Sequence, residues 1–261
     1  MTAAIAAEFI KLKRSSLLRL VILGGILPSL VRAAQHSVYD FAPVDMWAWH
    51  LSAYQEIFVL CTAAVLIIVA VTIFTMEFQN GTASYIFTSA TSRLKIYAAK
   101  LLILLLIIFM MFVTGAAMQL LMGSILLPIP ITQNKLIQLI EITLWYIGTY
   151  FALAVFVAMV AAISKRFVIS TGILFGYFIL SFPVHYFGEN PYVDIFMIPA
   201  LGASKMYDSS EYLFGNYYDG VPIDIARLAG VLAVLALAAL IIGIVAYKKT
   251  DTIMPEGVEN G

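Results

Sequence analysis

Six apolar runs divide this chain, at 17–34, 57–76, 101–127, 139–163, 167–187 and 228–247. Each is long enough to cross a bilayer core, which takes about 20 residues of helix. Hydrophobic residues make up 62% of the 261 positions and charged residues 11%, whereas a soluble domain has roughly 45–50% and 25%. A soluble fold of this length cannot hide so much apolar surface, so lipid is the expected solvent. Backbone N–H and C=O groups must then be satisfied within each segment. The expectation is an all-α membrane protein of six transmembrane helices forming one transmembrane domain over 1–261. Runs three and four exceed the need and are expected to tilt or extend beyond the lipid. Run one carries Arg19, Arg32, Gly24, Gly25 and Pro28. Its arginines lie near the ends and are expected to snorkel, and Pro28 to kink the helix. It reads as a retained span, because it is long and lacks a small-residue cleavage site.

Orientation follows from lysine and arginine in the short loops. Lys11, Lys13, Arg14, Arg19, Arg93, Lys95, Lys100, Lys165, Arg166, Lys248 and Lys249 all fall on one side of the alternating spans. Arg32, Lys135, Lys205 and Arg227 fall on the other. Both termini are therefore expected in the cytoplasm. Ahead of the first span, residues 1–16 place Ile5, Phe9 and Leu12 on one helical face, against Glu8, Lys11 and Lys13. That pattern predicts an interfacial helix along the inner leaflet.

The outer segments differ in character. Segment 35–56 offers Trp47 and Trp49 to the lipid–water boundary, and 128–138 is short. Segment 188–227 is long, with Glu189, Asp194, Asp208, Glu211, Asp219 and Asp224 against Lys205, and with five tyrosines at 192, 207, 212, 217 and 218. Its apolar start, 193–201, is expected to dip back into the membrane as a re-entrant helix. On the cytoplasmic side, 77–100 is longer than a turn requires. It reads Glu77-Phe78-Gln79-Asn80-Gly81-Thr82, then Tyr85-Ile86-Phe87, then Ser92-Arg93. That is enough chain for a short helix lying against another protein. The tail 255–261 reads as frayed.

Several chemistries lack their residues. No G-x-x-x-x-G-K-[ST] motif occurs, so the chain has no P-loop for a nucleotide. No H-E-x-x-H, no zinc-spaced Cys/His cluster and no G-x-S-x-G is present, and a single cysteine, Cys61, allows no internal disulfide. His36, His50 and His185 read as interfacial or packing histidines. Zero net charge offers no argument for nucleic acid. The spans are almost free of central charges, which ion-coupled transport normally needs, while Glu141 is close enough to the outer end of span four to reach water. The pattern favours a passive membrane part whose energy comes from elsewhere.

With six spans, cytoplasmic ends and a basic amphipathic leading helix, the chain resembles the permease subunits of bacterial ATP-binding-cassette exporters of the type-2 class. That class includes antimicrobial-peptide, lantibiotic-immunity and peptide-toxin exporters. The likeness rests on Glu8 and Lys11, on Glu77 with Gly81-Thr82, on Ser92-Arg93, and on Lys100 leading into span three. It implies that the loop after span two holds a coupling helix over about 81–90, seated on a separate ATPase. The implied coupling residues are Glu77, Gly81, Thr82, Tyr85, Ile86, Phe87 and Arg93. Glu8, Phe9, Lys11 and Leu12 belong to the interfacial helix, and Glu77 is expected to tie the loop to a basic residue of that helix. The resemblance further implies two ATPase copies carrying ATP and Mg, a second permease copy or paralogue, no cofactor on this chain, and residence in the bacterial plasma membrane. Gly172 and Gly176 in span five form a small-xxx-small pair suited to close helix approach, within one subunit or between two.

Thr72, Thr114, Gln119, Ser170, Thr171 and Tyr177 are the candidates for lining a translocation path, with Thr62, Thr75 and Ser181 as further polar groups in the spans. Such side chains more often bond to their own helix backbone. A lining so poor in charge suits an amphipathic cargo, and the acidic outer segment suits a cationic peptide toxin or antimicrobial peptide. A drug or lipid-like cargo, an intramembrane enzyme and an ion-coupled secondary transporter are the alternatives.

Overall fold

A computed structural model describes residues 2–38, 46–82, 92–187, 195–207 and 224–249. They form eight helices: α1 (Thr2–Arg14), α2 (Leu17–Val38), α3 (Met46–Gln79), α4 (Arg93–Leu126), α5 (Gln133–Ser164), α6 (Phe167–Phe187), α7 (Ile198–Tyr207) and α8 (Ile225–Lys248). No strand occurs among the described residues. Five helices contain a stretch long and apolar enough to cross a membrane, namely α2, α3, α4, α5 and α8. In α6 the apolar stretch found is shorter, Phe167–Ser181.

Helices α3, α4 and α5 pack against one another at the centre. Helix α2 lies against α3 and α4, α6 against α3 and α5, and α8 mainly against α5. Phe112 of α4 stacks on Tyr146 of α5, with ring centroids 5.4 Å apart, and meets Tyr150 one turn on. The outer helices turn aliphatic faces away from this core, with Val168 and Leu180 of α6 and Val234 of α8 each at least 70% exposed. Exposure of that kind marks faces covered by lipid or by another protein.

The helices run past the apolar stretches that generate them. Helix α3 begins at Met46 and ends at Gln79, and α4 begins at Arg93. The segment expected over 77–100 therefore contracts to 80–92. Lys95 and Lys100 are good helix formers and no proline or glycine interrupts 93–100, so the hydrogen-bond ladder starts ahead of the apolar run. Helix α2 likewise passes unbroken through Pro28.

Two side chains expected at the membrane boundary are inside the protein. Trp47 is 3% exposed. Its ring lies over Gly123, where a side chain would collide with it, and its indole N–H donates to the Ile129 carbonyl at 2.9 Å. Arg32 is 4% exposed instead of snorkelling. It falls one and two turns beyond Ser29 and Gly25 on one face of α2, and a Cβ at Gly25 would lie 2.7 Å from the Met111 carbonyl of α4. That close approach encloses the whole face.

Helix α7 follows the apolar start of the outer segment. Its buried residues include Ile198, Ala200, Leu201 and Ala203. Trp145 of α5 donates to the Pro199 carbonyl at 2.8 Å, and Gly202 makes room for the same indole. The other acids and tyrosines singled out between 188 and 223, the side chain of Trp49 and the tail lie outside the described residues and side chains.

Candidate functional site

The end of α3 is built by the Glu77–Thr82 motif. The Thr82 N–H donates to the Glu77 carbonyl at 3.0 Å and the Gly81 N–H to the Phe78 carbonyl at 3.4 Å. Gly81 has φ 67°. This pair of bonds across a left-handed residue is a Schellman stop, and glycine takes that conformation without Cβ strain. The Thr82 hydroxyl also leans on the Glu77 carbonyl at 3.4 Å. The motif thus ends the helix at a defined angle and holds Glu77 within its last turn.

Glu77 is 2% exposed and lies in a cluster of four charges. Lys11 Nζ of α1 is 2.7 Å from Glu77 Oε1 and 2.7 Å from Glu8 Oε1. Lys100 Nζ of α4 is 3.1 Å from Glu77 Oε1 and 3.6 Å from Glu8 Oε2. Lys100 also donates to the Ile73 carbonyl at 2.6 Å and lies 5.8 Å from the centroid of the Phe74 ring. The Tyr247 hydroxyl at the end of α8 donates weakly to Glu77 Oε2 at 3.5 Å. Two carboxylates and two ammoniums cancel, so four helices are joined without a net buried charge. Burial acts to lower the Lys11 pKa, but its hydrogen bonds to Glu77 and Glu8, and their charges, outweigh it and hold the ammonium above the ordinary lysine value.

Helix α1 differs from the expected amphipathic division. Glu8 and Leu12 are turned inward, at 8% and 5% exposed, whereas Phe9 and Ile10 are about half exposed. The cause is pairing: Glu8 lies one turn from Lys11 and meets Lys100, which 3.6-residue periodicity alone does not reveal.

Around the cluster, Tyr97 lies between Phe74 and Tyr247, with centroids 5.3 and 5.4 Å away. Its hydroxyl sits where a side chain at Gly243 would be. Arg93 donates to the Lys248 carbonyl at 2.7 Å and so closes the C-terminal end of α8. Glu8, Lys11, Glu77 and Arg93 were all marked by the sequence. Lys100 was marked by the charge distribution and the family likeness but not as a partner of Glu77, and Tyr247 was missed. A tyrosine ending a long apolar helix carries no local signal; only its approach to Glu77, 170 residues away, singles it out. Tyr85, Ile86 and Phe87 lie outside the described residues.

The candidate path residues are not gathered into one site. The hydroxyls of Thr72 and Thr114 donate to carbonyls of their own helices at Ile68 and Met110, and Ser170 does so at Arg166. Gln119 is fully buried, and its side-chain amide has no hydrogen-bond partner among the described residues. The Thr171 hydroxyl has none either. Tyr177 is 37% exposed and its ring lies 5.8 Å from that of Phe196. Nothing lies within 4 Å of a Cβ built at Gly172 or Gly176, so neither glycine serves close packing inside this subunit among the described residues.

A family model described as ABC-2 family transporter protein matches residues 4–181, more than half of the chain. The match takes in α1, the Glu77 motif, Lys100 and the α5–α6 turn. No curated protein matches the chain.

Proposed function

The chain belongs to the ABC-2 family of transporter proteins, and from that premise we propose that it is the permease subunit of an ATP-driven exporter powered by a separate ATPase. Two ATPase copies sit beneath two membrane halves, the second half being another copy or a paralogue. Both termini face the cytoplasm of a bacterial cell. All six apolar runs span; in support, α6 has 21 residues, about 31 Å of helix. Helix α7 is re-entrant. In support, its partner Trp145 lies six residues inside the run 139–163, about 9 Å along α5.

The observation that carries the proposal is the charge cluster at Glu77. A loop that receives force from a partner must be joined stiffly to the helices it moves. Glu77 lies just ahead of that loop and is tied to α1, α4 and α8 at once. Movement of the segment 80–92 is thereby shared among the helices instead of being lost in one flexible connection. Tyr85, Ile86 and Phe87 supply the apolar contacts to the ATPase groove.

The cargo is an amphipathic peptide, a toxin or an antimicrobial peptide. Its support is the low charge of the spans and the acidic outer segment 188–227. The test is reconstitution of the chain with its ATPase in vesicles. ATP-dependent movement of cationic amphipathic peptides is expected, and Tyr85→Asp or Phe87→Asp should uncouple hydrolysis from transport. Movement of drugs or lipids but not peptides overturns the cargo. Transport on an ion gradient with no ATPase present overturns the whole reading.

A further inference from the structure

Beside the last turn of α3, the turn between α5 and α6 borders an open cavity of about 470 Å³. Its lining includes Phe78, Gln79, Lys165, Arg166, Phe167 and Val168. Two cations are adjacent there and no carboxylate contributes. Among the described residues neither the Lys165 nor the Arg166 side chain forms an ion pair, and the neighbouring sequence 83–91 contains no Asp or Glu. The acids described at this end, Glu8 and Glu77, are already taken by Lys11 and Lys100.

The backbone that carries the two cations is firmly set. Lys165 has φ 56° and its N–H donates to the Ala161 carbonyl at 3.0 Å. The Arg166 carbonyl accepts from both the N–H and the hydroxyl of Ser170, at 3.0 and 2.9 Å, and the hydroxyls of Ser164 and Ser170 contact each other. The backbone therefore needs no reordering when a ligand binds; only the two side chains do. Beyond the cations the surface turns apolar along α6. Val168 is 77% exposed, Ile169 45% and Ile173 56%, and Gly172 beside them leaves open space. A basic head that continues into an exposed aliphatic face matches a ligand with an anionic head and hydrocarbon tails.

We propose that Lys165 and Arg166, with the exposed start of α6, form a binding site for one anionic glycerophospholipid of the inner leaflet, its phosphodiester held by the two cations. The inference rests on the six-span orientation above, which puts this turn at the cytoplasmic face. Basic pockets between transmembrane helices on that side are chemically suited to such headgroups. An acidic surface of the ATPase would satisfy the charges but not the exposed aliphatic face that follows them.

The test uses the full chain in nanodiscs of phosphatidylcholine with a minor share of phosphatidylglycerol. Native mass spectrometry then counts the phosphatidylglycerol retained per chain. The variant is Lys165→Asn with Arg166→Gln, asparagine being tolerated at positive φ. At about 1 kcal/mol per basic residue, retention should fall roughly tenfold to thirtyfold, while the control Lys248→Gln with Lys249→Gln keeps it. Millimolar inorganic phosphate should not displace the lipid; displacement would overturn the acyl part of the site in favour of a plain anion site. Equal retention in variant and wild type, or equal loss in the control, overturns the proposal. So does loss of the ATPase in co-purification with lipid retention unchanged, which would mark the turn as a partner contact. The lipid count needs no ATPase, so failure here leaves the exporter reading standing.

Discussion

Lys100 Nζ lies 3.1 Å from Glu77 Oε1 while donating to the Ile73 carbonyl one turn earlier on the same helix. A cation 1% exposed thus clamps α4 to both the side chain and the backbone of α3. Its placement makes it the most sensitive position of the cluster. Lys100→Met leaves Glu77 and Glu8 facing Lys11 alone, and loss of one partner from a buried charge group costs about 3–5 kcal/mol. Thermal unfolding in detergent should show a large drop. The double variant Lys100→Met with Glu77→Gln should recover part of it, since no uncompensated carboxylate remains at that position.

Lys11 provides the link between α1 and the bundle, being 2.7 Å from both carboxylates. Lys11→Met should release α1 with a smaller loss of global stability than Lys100→Met, because Lys11 is a third exposed. Limited proteolysis within the first 16 residues should speed up severalfold while the spans stay protected.

The pH dependence of that link has a definite sign. The folded pKa of Lys11 is raised above its ordinary value, so its contribution to stability is fully present below the unfolded lysine pKa of about 10.4 and is lost as pH rises through the folded value. Attachment of α1, followed by a fluorophore on its exposed face, should be flat from neutral pH to about 10. It should weaken only above that range, and Lys11→Met should abolish this alkaline transition.

Gly81 holds φ 67° at the end of α3. Gly81→Ala forces a Cβ into the left-handed region at roughly 1–2 kcal/mol and should loosen the Schellman stop. Within the proposed function, the expected phenotype is ATP hydrolysis near normal with reduced transport per ATP, measured in reconstituted vesicles. Equal transport per ATP would mean that the angle of this stop does not matter.

Glycines elsewhere should divide into two groups. A Cβ at Gly25 would meet the Met111 carbonyl and the Thr114 hydroxyl at 2.7 Å, whereas one at Gly172 meets nothing within 4 Å. Gly25→Ala should therefore lower the melting temperature markedly and Gly172→Ala hardly at all.

Helix class and the approximate place of each helix were legible because lipid imposes them locally: an apolar run of sufficient length must satisfy its own backbone. Glu77 with Gly81-Thr82 was marked by the family likeness, whereas the left-handed Schellman stop at Gly81 was seen only in the folded chain. Burial of polar groups was far less so. Trp47 and Arg32 have the sequence signature of boundary residues, but the gaps left by Gly123 and Gly25 draw their surroundings inward. Phe9 was read with Ile5 and Leu12 as one apolar face along the inner leaflet; in the folded chain Leu12 is buried against the bundle while Phe9 stays about half exposed.

From sequence alone follow the membrane solvent and the helical backbone, both set by residues close together in the chain. The tertiary structure alone decided that Glu8, Lys11, Glu77, Lys100 and Tyr247 meet. Their pairing spans most of the chain's length. It depends on where helices cross in space, where a buried charge is stable only if its opposite arrives from another helix.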